Sequence, residues 1–347
     1  MKQMVQAAHI RWLLQMGVAL SILGAQAASA ITWQEGWNLV VRVERGDQEA
    51  AKYLIDAYNQ GDPDAGTAIG VLYLNGVAYP RDLGRAKSYF DWARSRGSGW
   101  ASAMLALLHG NGFGVPADEK LSIALADEAA QRGYPGGKNL QAQQTIFGLR
   151  GRPSQEQLAA SAAAIQAGAA QGEPLSLSAL ARLYFAGFPP GNIPKDWAKA
   201  RALWEEAMGK GYLLAGNFLI AMYYYGYGGP ADQAKAIALA KRLAGLGPFG
   251  EAFLATAYYF GVAGEPQDPK RACQLAQKSR DHLQGVTIYG LCLLDGHLPG
   301  GRAQGYAWLL KAAAGGNDLA KSLAPEWEKR LTKEEVDEAK RLLPNLK

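Results

Sequence analysis

Glycines recur at nearly constant intervals along this chain. One set marks the ends of similar segments at spacings of 36 to 39 residues, at Gly61, Gly97, Gly133, Gly172, Gly211, Gly247 and Gly285. A second set falls between them, at Gly76, Gly110, Gly148, Gly187, Gly226, Gly261 and Gly296. Self-similarity at this period indicates stacked repeats, each of which buries its apolar face against its neighbours. We therefore predict repeats of two short helices, A and B, with one glycine loop inside each repeat and another closing it.

The segment from Asp64 to Gly97 shows this pattern most clearly. Its helix A is predicted to end in IGVLYLNG, its loop contains Pro80, and Asp82 can accept hydrogen bonds from free amides at the start of helix B. The spacing L-x-x-x-Y-x-x-G recurs in LARLYFAG (180–187), LIAMYYYG (219–226) and LATAYYFG (254–261). The chain contains 42 glycines and lacks the long alternating Val/Ile/Thr runs from which strands form.

These segments resemble the Sel1-like repeat family, which is related to the tetratricopeptide repeat but has a longer glycine loop between its helices. The family pattern LGxxYxxGxGV, then D, then KA with a bulky residue, then AAxxG, is visible in Ile69 to Gly76, Asp82, Arg85-Ala86, Tyr89 and Gly97. The resemblance covers residues 47–317 and is degenerate in the third repeat, where GKNLQAQQTIFGLRG (137–151) lacks the tyrosine. It implies an all-α fold, a right-handed α/α solenoid of about seven repeats.

Both ends of the chain depart from the repeat. Lys2 and Arg11 are positive, residues 12–23 are largely apolar, and small residues lead to Ala30, which is typical of a secretory signal peptide. We expect cleavage between Ala30 and Ile31, so that residues 1–30 are the signal peptide and residues 31–317 the solenoid. Residues 318–347 are predicted to form a helical cap, in which Thr332 and Glu335 have the capping-box spacing that starts a helix.

The N-terminal segment also predicts a location. Its apolar run is shorter than the roughly 20 residues that span a bilayer. A lipoprotein would need a cysteine at the cleavage point, whereas the first cysteine is Cys273. We therefore expect a periplasmic protein that is neither a lipoprotein nor membrane-anchored. An uncleaved amphipathic N-terminal helix is the alternative.

The chain contains 2 cysteines, Cys273 and Cys292. They fall on helices predicted to be neighbours in an antiparallel hairpin turning near residues 283–285, which would place the two sulfurs at comparable depth. Export would supply the oxidising compartment that a lasting disulfide requires. Two buried free thiols are the alternative, since free cysteine often behaves as a small core residue.

Motifs for catalysis or metal binding are missing from the sequence. The mature chain contains His109, His282 and His297 but no H-E-x-x-H, Cys-x-x-Cys or G-x-S-x-G. The run GNGFG (110–114) lacks the preceding strand and the following Lys-Ser/Thr of a phosphate-binding loop. Loss of Lys2 and Arg11 lowers the formal net charge from +5 to +3, and no basic stripe interleaves with aromatics. We therefore expect that the protein is not an enzyme and that it binds no metal, small-molecule cofactor or nucleic acid.

Comparison of the repeats with one another predicts a surface. The residues three and two before the loop glycine are mostly apolar or aromatic, as in Tyr258-Tyr259, which indicates packing. The residue immediately before the glycine varies freely, which indicates exposure: Asn75, His109, Phe147, Ala186, Tyr225, Phe260 and Asp295. Exposed aromatics offer apolar area at low rotamer cost. The predicted partner contacts are therefore Phe147, Tyr225 and Phe260, together with Tyr227 and His109. The alternatives are aromatics folded onto neighbouring loops and, for His109, a surface histidine without a role.

The resemblance implies a non-catalytic protein that binds another protein along the surface lined by helix A. Exported members of the family include immunity proteins that block antibacterial lipase or phospholipase effectors, such as those of type VI secretion, and scaffolds for polysaccharide export. The missing lipid-anchor cysteine favours an immunity protein with a lipase or phospholipase toxin as partner. A soluble scaffold or adaptor for envelope assembly or polysaccharide export is the alternative. A cell-wall hydrolase ranks third, because the members linked to that activity carry a cysteine pair in most repeats.

Overall fold

Helices joined by short loops make up the protein in a computed structural model that describes residues 31–346. The predicted signal peptide, residues 1–30, lies outside the described residues. Within residues 31–346 there are 18 α-helices and no strand beyond one isolated bridge between Phe188 and Ile193. None of these helices combines the length and the apolarity needed to cross a membrane. The all-α fold predicted from the repeats is confirmed.

The chain divides into two compact units, one ending at Leu213 and the other beginning at Leu214. Among its described residues, the N-terminal unit contains α1 (Trp33–Glu44), α2 (Gln48–Asn59), α3 (Pro63–Asn75), α4 (Leu83–Ser95), α5 (Gly99–Asn111), α6 (Glu119–Gln131), α7 (Pro135–Ile146), α8 (Gln155–Ala170), α9 (Pro174–Ala186) and α10 (Trp197–Gly209). From α3 onward, consecutive helices pack as A/B pairs, α3 with α4 through α9 with α10. A 3-10 turn, Pro189–Gly191, lies in the last of these loops.

The C-terminal unit repeats the same pairing. It contains α11 (Gly216–Tyr225), α12 (Gln233–Leu243), α13 (Pro248–Phe260), α14 (Pro269–Lys278), α15 (Leu283–Leu294), α16 (Arg302–Ala314), α17 (Asp318–Glu328) and α18 (Lys333–Leu342). Its first six helices form three A/B pairs, of which α15 and α16 are the last. Helices α17 and α18 both pack against α16. A 3-10 turn, Leu213–Ala215, precedes α11, and another, Leu343–Asn345, follows α18. The predicted capping box is confirmed, since Thr332 and Glu335 exchange hydrogen bonds at the start of α18.

One backbone hydrogen bond recurs in the loops between helices A and B. The N–H of the aspartate that caps helix B donates to the carbonyl of the tyrosine three residues before the loop glycine. The bond is 2.7 to 3.1 Å long and joins Asp82 to Tyr73, Asp196 to Tyr184, Asp232 to Tyr223 and Asp268 to Tyr258. The aspartate side chain also accepts a hydrogen bond from a backbone N–H of the first turn of its helix, as predicted for Asp82. The same aspartate thus bonds to helix A through its backbone N–H and to the first turn of helix B through its side chain, which fixes both ends of the loop.

This hydrogen bond corrects the predicted register of the second repeat. Asp118 N–H donates to the carbonyl of His109 at 2.9 Å, so that His109 occupies the tyrosine position. The loop glycine is therefore Gly112, a C-cap with φ 69°, whereas Gly110 lies inside α5. The sequence prediction that placed His109 immediately before the loop glycine was wrong, because Gly110 and Gly112 both fit the glycine spacing.

A cation lies over the ring of each of these four tyrosines. It stands three residues after the capping aspartate, and the distances from the charged group to the ring centroid are 5.5 Å for Arg85 over Tyr73, 4.2 Å for Lys199 over Tyr184, 4.1 Å for Lys235 over Tyr223 and 4.2 Å for Arg271 over Tyr258. Such contacts contribute about 0.5–1 kcal/mol each at exposed sites. Where the tyrosine is replaced by His109, the equivalent position holds Leu121. A cation therefore accompanies each of the four tyrosines but not His109.

Gly285, predicted to close a repeat, instead lies inside α15. A Cβ at this position would be 2.1 Å from the carbonyl oxygen of Ser279, so the close approach of the turn to the helix excludes a side chain. The chain turns at residues 279–282, where His282 N–H donates to the Ser279 carbonyl at 3.0 Å. The closing glycine of the following repeat is Gly316, with φ 100°.

Cys273 in α14 and Cys292 in α15 are joined by a disulfide, with their Cα atoms 5.8 Å apart. Both side chains are buried. The bond connects helix B of one repeat to helix A of the next and closes a loop with a sequence separation of 19 residues.

Candidate protein-binding surface

Tyr225 is the last residue of α11 and stands immediately before the left-handed Gly226 (φ 74°). The residue is 38% exposed. The ring packs edge-on against Phe253, with centroids 6.1 Å apart, and lies 5.6 Å from the ring of Tyr227. Part of the ring is therefore held by neighbours and part is available to a partner.

The hydroxyl group of Tyr225 joins a buried hydrogen-bond network. It donates to Oε1 of Gln284 at 3.0 Å, and Nδ2 of Asn317 donates to the same oxygen at 2.8 Å. Nε2 of Gln284 in turn donates to the hydroxyl of Thr256 at 2.8 Å. Burial, together with the nearby Tyr224, raises the pKa of Tyr225, so the phenol remains protonated and able to donate at neutral pH. The network fixes an exposed ring to three buried polar side chains.

His282 extends the aromatic cluster beside Tyr225. Its ring lies 4.4 Å from that of Phe249 and 6.0 Å from that of Phe253, measured between centroids. Its Nδ1 accepts a hydrogen bond from Gln284 N–H at 3.3 Å, which caps α15. Burial lowers the pKa of His282 to about 4, so the ring is neutral at pH 7. We call Tyr225, Tyr227, Phe249 and His282 together the Tyr225 surface, and Phe253, which is 1% exposed, supports it from beneath.

Phe260 is the last residue of α13 and is 39% exposed. Its ring lies 5.0 Å from that of Tyr259, whose hydroxyl donates a hydrogen bond to Asp295. Tyr259 is buried, as predicted for its packing position. Phe260 is thus exposed next to Tyr259, which is fixed by its hydrogen bond. It remains a predicted partner contact.

Phe147 belongs to the N-terminal unit and caps the C-terminus of α7. It is 55% exposed, and the guanidinium of Arg182 lies over its ring, 4.6 Å from the centroid. Arg182 also donates to Oε1 of Gln143 at 3.1 Å, and burial lowers its pKa. Phe147 is therefore contacted by a cation while more than half of the residue remains exposed, and it is a second candidate contact, in the N-terminal unit.

Two residues of the variable position differ from the prediction of exposure. His109, now placed at the tyrosine position, is half-buried, and its Nδ1 is buried without a hydrogen-bond partner among residues 31–346. Asn75 is 3% exposed and donates to Oε1 of Glu44 at 2.7 Å and to the carbonyl of Gly211 at 3.0 Å. The position before the loop glycine is thus exposed in some repeats and covered in others.

Helix α1 covers part of the helix A surface in the N-terminal unit, which sequence reasoning missed. Trp37 is 3% exposed, and its ring lies 4.8 Å from that of Trp100 and 6.5 Å from that of Tyr212. The close approach requires Gly36, because a Cβ there would be 2.4 Å from the Trp100 ring. The two tryptophans Trp33 and Trp37, one helical turn apart before the first repeat, were a signal for a docked amphipathic helix.

A buried carboxylate anchors this docked helix. Nε1 of Trp37 donates to the hydroxyl of Tyr134 at 3.3 Å, and that hydroxyl donates to Oε1 of Glu173 at 2.8 Å. Ser176 donates to Oε2 of Glu173 from both its backbone N–H and its hydroxyl, each at 2.6 Å. Burial raises the pKa of Glu173, against the effect of these hydrogen bonds. Since both carboxylate oxygens are occupied by donors, Glu173 serves as a structural anchor.

Residues 31–346 contain no group of three or more His, Cys, Asp or Glu side chains arranged to hold a metal ion. A groove of about 480 Å³ lies between α1 and α2, lined by residues that include Glu35, Arg42, Glu49 and Tyr53. Its walls are polar as well as apolar, whereas small-molecule pockets are mostly apolar and enclosed. The exposed aromatic side chains are therefore the stronger candidates for recognition.

The comparison with protein-family models agrees with the repeat architecture. The Sel1 repeat model matches residues 63–98, 101–134, 174–212, 211–248, 248–282 and 287–317, which together make up more than half of the chain. No curated protein matches this sequence.

Similar solved structures include a protective antigen of uropathogenic Escherichia coli with an SLR fold. It is 19% identical, with a TM-score of 0.43 and coverage of 90% of this chain and 76% of that one. A Sel1 repeat protein from Oxalobacter formigenes is 23% identical, with a TM-score of 0.41 and coverage of 94% and 90% respectively. On the repeat matches, this chain belongs to the Sel1 repeat family.

Proposed function

We propose that this protein is a non-catalytic module that binds another protein through the Tyr225 surface. The observation that carries the proposal is the double role of Tyr225, which as a residue is 38% exposed while its hydroxyl donates to buried Gln284. An aromatic ring held in place before binding loses little freedom on association, and such rings commonly contribute most of the affinity of an interface. The family supports a protein as the partner.

We propose that the protein acts in the periplasm after removal of residues 1–30. The signal-peptide pattern of those residues supports export. The disulfide between Cys273 and Cys292 supports it as well, because structural disulfides persist in oxidising compartments. Cell fractionation with detection of the chain tests this location, and recovery in the cytoplasm alone would contradict it.

For the partner, we propose an antibacterial lipase or phospholipase delivered by type VI secretion, which the protein would neutralise as an immunity protein. The resemblance of its sequence to exported Sel1-like proteins supports this choice, and Ile31, rather than a lipid-anchor cysteine, after the predicted cleavage site favours it over a scaffold for envelope assembly. Cells that lack the protein should be killed by such a toxin in the periplasm, and restored expression should protect them. Unchanged killing after restored expression would argue against immunity without affecting the binding proposal.

The binding proposal is tested by capturing partners from an envelope extract with the mature protein. We expect one stoichiometric partner, its loss with Tyr225→Ala, and its retention with Tyr53→Ala, which removes another exposed tyrosine from the N-terminal unit. Thermal unfolding of both variants checks that they fold. If Tyr225→Ala retains the partner and Phe147→Ala loses it, the binding surface lies in the N-terminal unit instead. Turnover of a cell-wall substrate without any bound protein would overturn the proposal.

A further inference from the structure

The first described residue, Ile31, is held at its backbone nitrogen and at its side chain. The nitrogen lies 2.7 Å from Oδ2 of Asp62, and the residue is 5% exposed. The next residue, Thr32, begins α1 through a capping box with Glu35, to which Thr32 N–H donates at 2.9 Å. The position of the Ile31 nitrogen is therefore fixed by the buried Ile31 side chain and by the capping box that begins α1 at the next residue.

Asp62, whose Oδ2 faces this nitrogen, and Asp64, two residues later, form no ion pair with a positive side chain among residues 31–346. Asp62 caps α3, and its second oxygen accepts from Ala65 N–H at 2.8 Å. Asp64, two residues later, accepts from the hydroxyl of Ser98 at 2.6 Å. Burial, and to a lesser extent the charge of Asp62, raises the pKa of Asp64 to about 6. Two carboxylates within one helical turn thus carry negative charge that N–H and O–H donors satisfy only in part.

We propose that cleavage between Ala30 and Ile31 creates the missing cation, so that the α-ammonium of Ile31 forms an ion pair with Asp62 and locks α1 onto the N-terminal unit. In the cleavage, water adds across the peptide bond, Ala30 keeps the carboxylate, and Ile31 keeps the amine, which takes up a proton. The inference rests on the export step of the proposed function and is independent of the Tyr225 surface.

Charge and geometry favour the ammonium over the amide at this position. An amide N–H offers one donor and no charge, whereas an ammonium offers three donors and a full positive charge. The dipole of α1 disfavours a cation at its N-terminus. The carboxylate of Asp62 at the Ile31 nitrogen and that of Glu35 at the adjacent Thr32 N–H offset that effect. An ion pair at Ile31 stabilises the position of α1, which follows it directly. Since Trp37 of α1 covers helix A residues of the N-terminal unit, the ion pair also stabilises that packing.

The test compares two forms of the chain, one that begins at Ile31 and one that retains Ala30, each with Asp62 and with Asp62→Asn. Asparagine preserves the helix cap but removes the charge. We expect the Ile31 form to unfold about 2–4 °C higher than the form with Ala30, and this difference to vanish in Asp62→Asn. The matched variant Asp47→Asn, at the cap of α2, should leave the difference intact. A difference that survives in Asp62→Asn would overturn the proposal.

A second readout is independent of stability. Mass spectrometry of the exported protein should find Ile31 as its first residue, and any other N-terminus overturns the proposal. At pH 7 an amine-specific reagent should label that terminus at least about threefold more slowly than in Asp62→Asn, because the carboxylate favours the protonated form. Equal rates would also overturn it. Partner capture by Tyr225 is measured separately, so either proposal can fail without the other.

Discussion

The hydroxyl group of Tyr225 donates a hydrogen bond to Oε1 of Gln284 across 3.0 Å. Tyr225 is exposed at the end of α11, whereas Gln284 is 2% exposed within α15. The same oxygen accepts from Asn317 at 2.8 Å. The position of the proposed binding residue therefore depends on a buried glutamine that solvent and partner do not reach.

The variant Gln284→Leu should test this dependence. It removes the partner of the Tyr225 hydroxyl and of the Asn317 amide, and each polar group left unsatisfied in the interior costs about 1–3 kcal/mol. We expect the free energy of unfolding to fall by about 2–3 kcal/mol and partner capture to weaken. Urea unfolding measures the first effect. The exposed Gln274→Leu is the control, expected within about 0.5 kcal/mol of the parent, and an equal loss in both variants would contradict the prediction.

Loss of the disulfide should destabilise the protein. Cys273 and Cys292 close a loop with a separation of 19 residues, and constraining a loop of this length in the unfolded chain contributes about 3 kcal/mol. The double variant with alanine at both positions should lose about that much free energy of unfolding. Denaturation with and without reductant measures it. Reductant should destabilise the parent but leave the double variant unchanged, and two titratable thiols in the unreduced parent would refute the bond.

Two glycine-to-alanine changes in helices should have opposite effects. In Gly285→Ala the new Cβ would lie 2.1 Å from a backbone oxygen of Ser279, and relieving this overlap should cost about 2–3 kcal/mol. In Gly84→Ala the nearest atom is a side-chain oxygen of Asp82 at 3.4 Å, which is ordinary contact. Because alanine has fewer backbone conformations than glycine in the unfolded chain, Gly84→Ala should gain about 0.4–1 kcal/mol. Thermal unfolding of both variants measures the contrast, and similar shifts would count against the packing at Gly285.

His282 should make stability depend on pH. Burial lowers its pKa from 6.5 to about 4, so the unfolded chain binds a proton more readily than the folded protein does. The stabilising contribution of the neutral ring is complete above pH 6.5 and is lost as the pH falls through about 4. The shift corresponds to at most about 3 kcal/mol, and less where solvent reaches the ring.

The matched variant is His282→Asn, which still caps α15 but has no charge to gain. We expect the free energy of unfolding to fall less between pH 7 and pH 4 in this variant than in the parent. Urea unfolding at several pH values measures the difference. Parallel pH profiles for the two proteins would show that His282 does not cause the acid sensitivity.

Local patterns predicted the helix pairs well. Asp82 and Thr332 start helices as expected because a cap depends on hydrogen bonds within one turn. Tyr223 is buried as expected for a position that is apolar or aromatic in most repeats. The error at Gly110 arose because two glycines in one loop satisfy the same spacing. The bond from Asp118 to His109 resolves it, and that bond depends on the path of the loop.

The amino-acid sequence alone is sufficient for the repeat and its helices, since periodicity, caps and loop glycines act over a few residues. Which surfaces stay open depends on residues far apart in the chain. Asn75 stands at the same repeat position as Tyr225, yet it is buried because Glu44 and Gly211 reach it, the latter from 136 residues away. Folding brings such residues together through burial and hydrogen bonding, and these long-range contacts determine which of the predicted contacts a partner can reach.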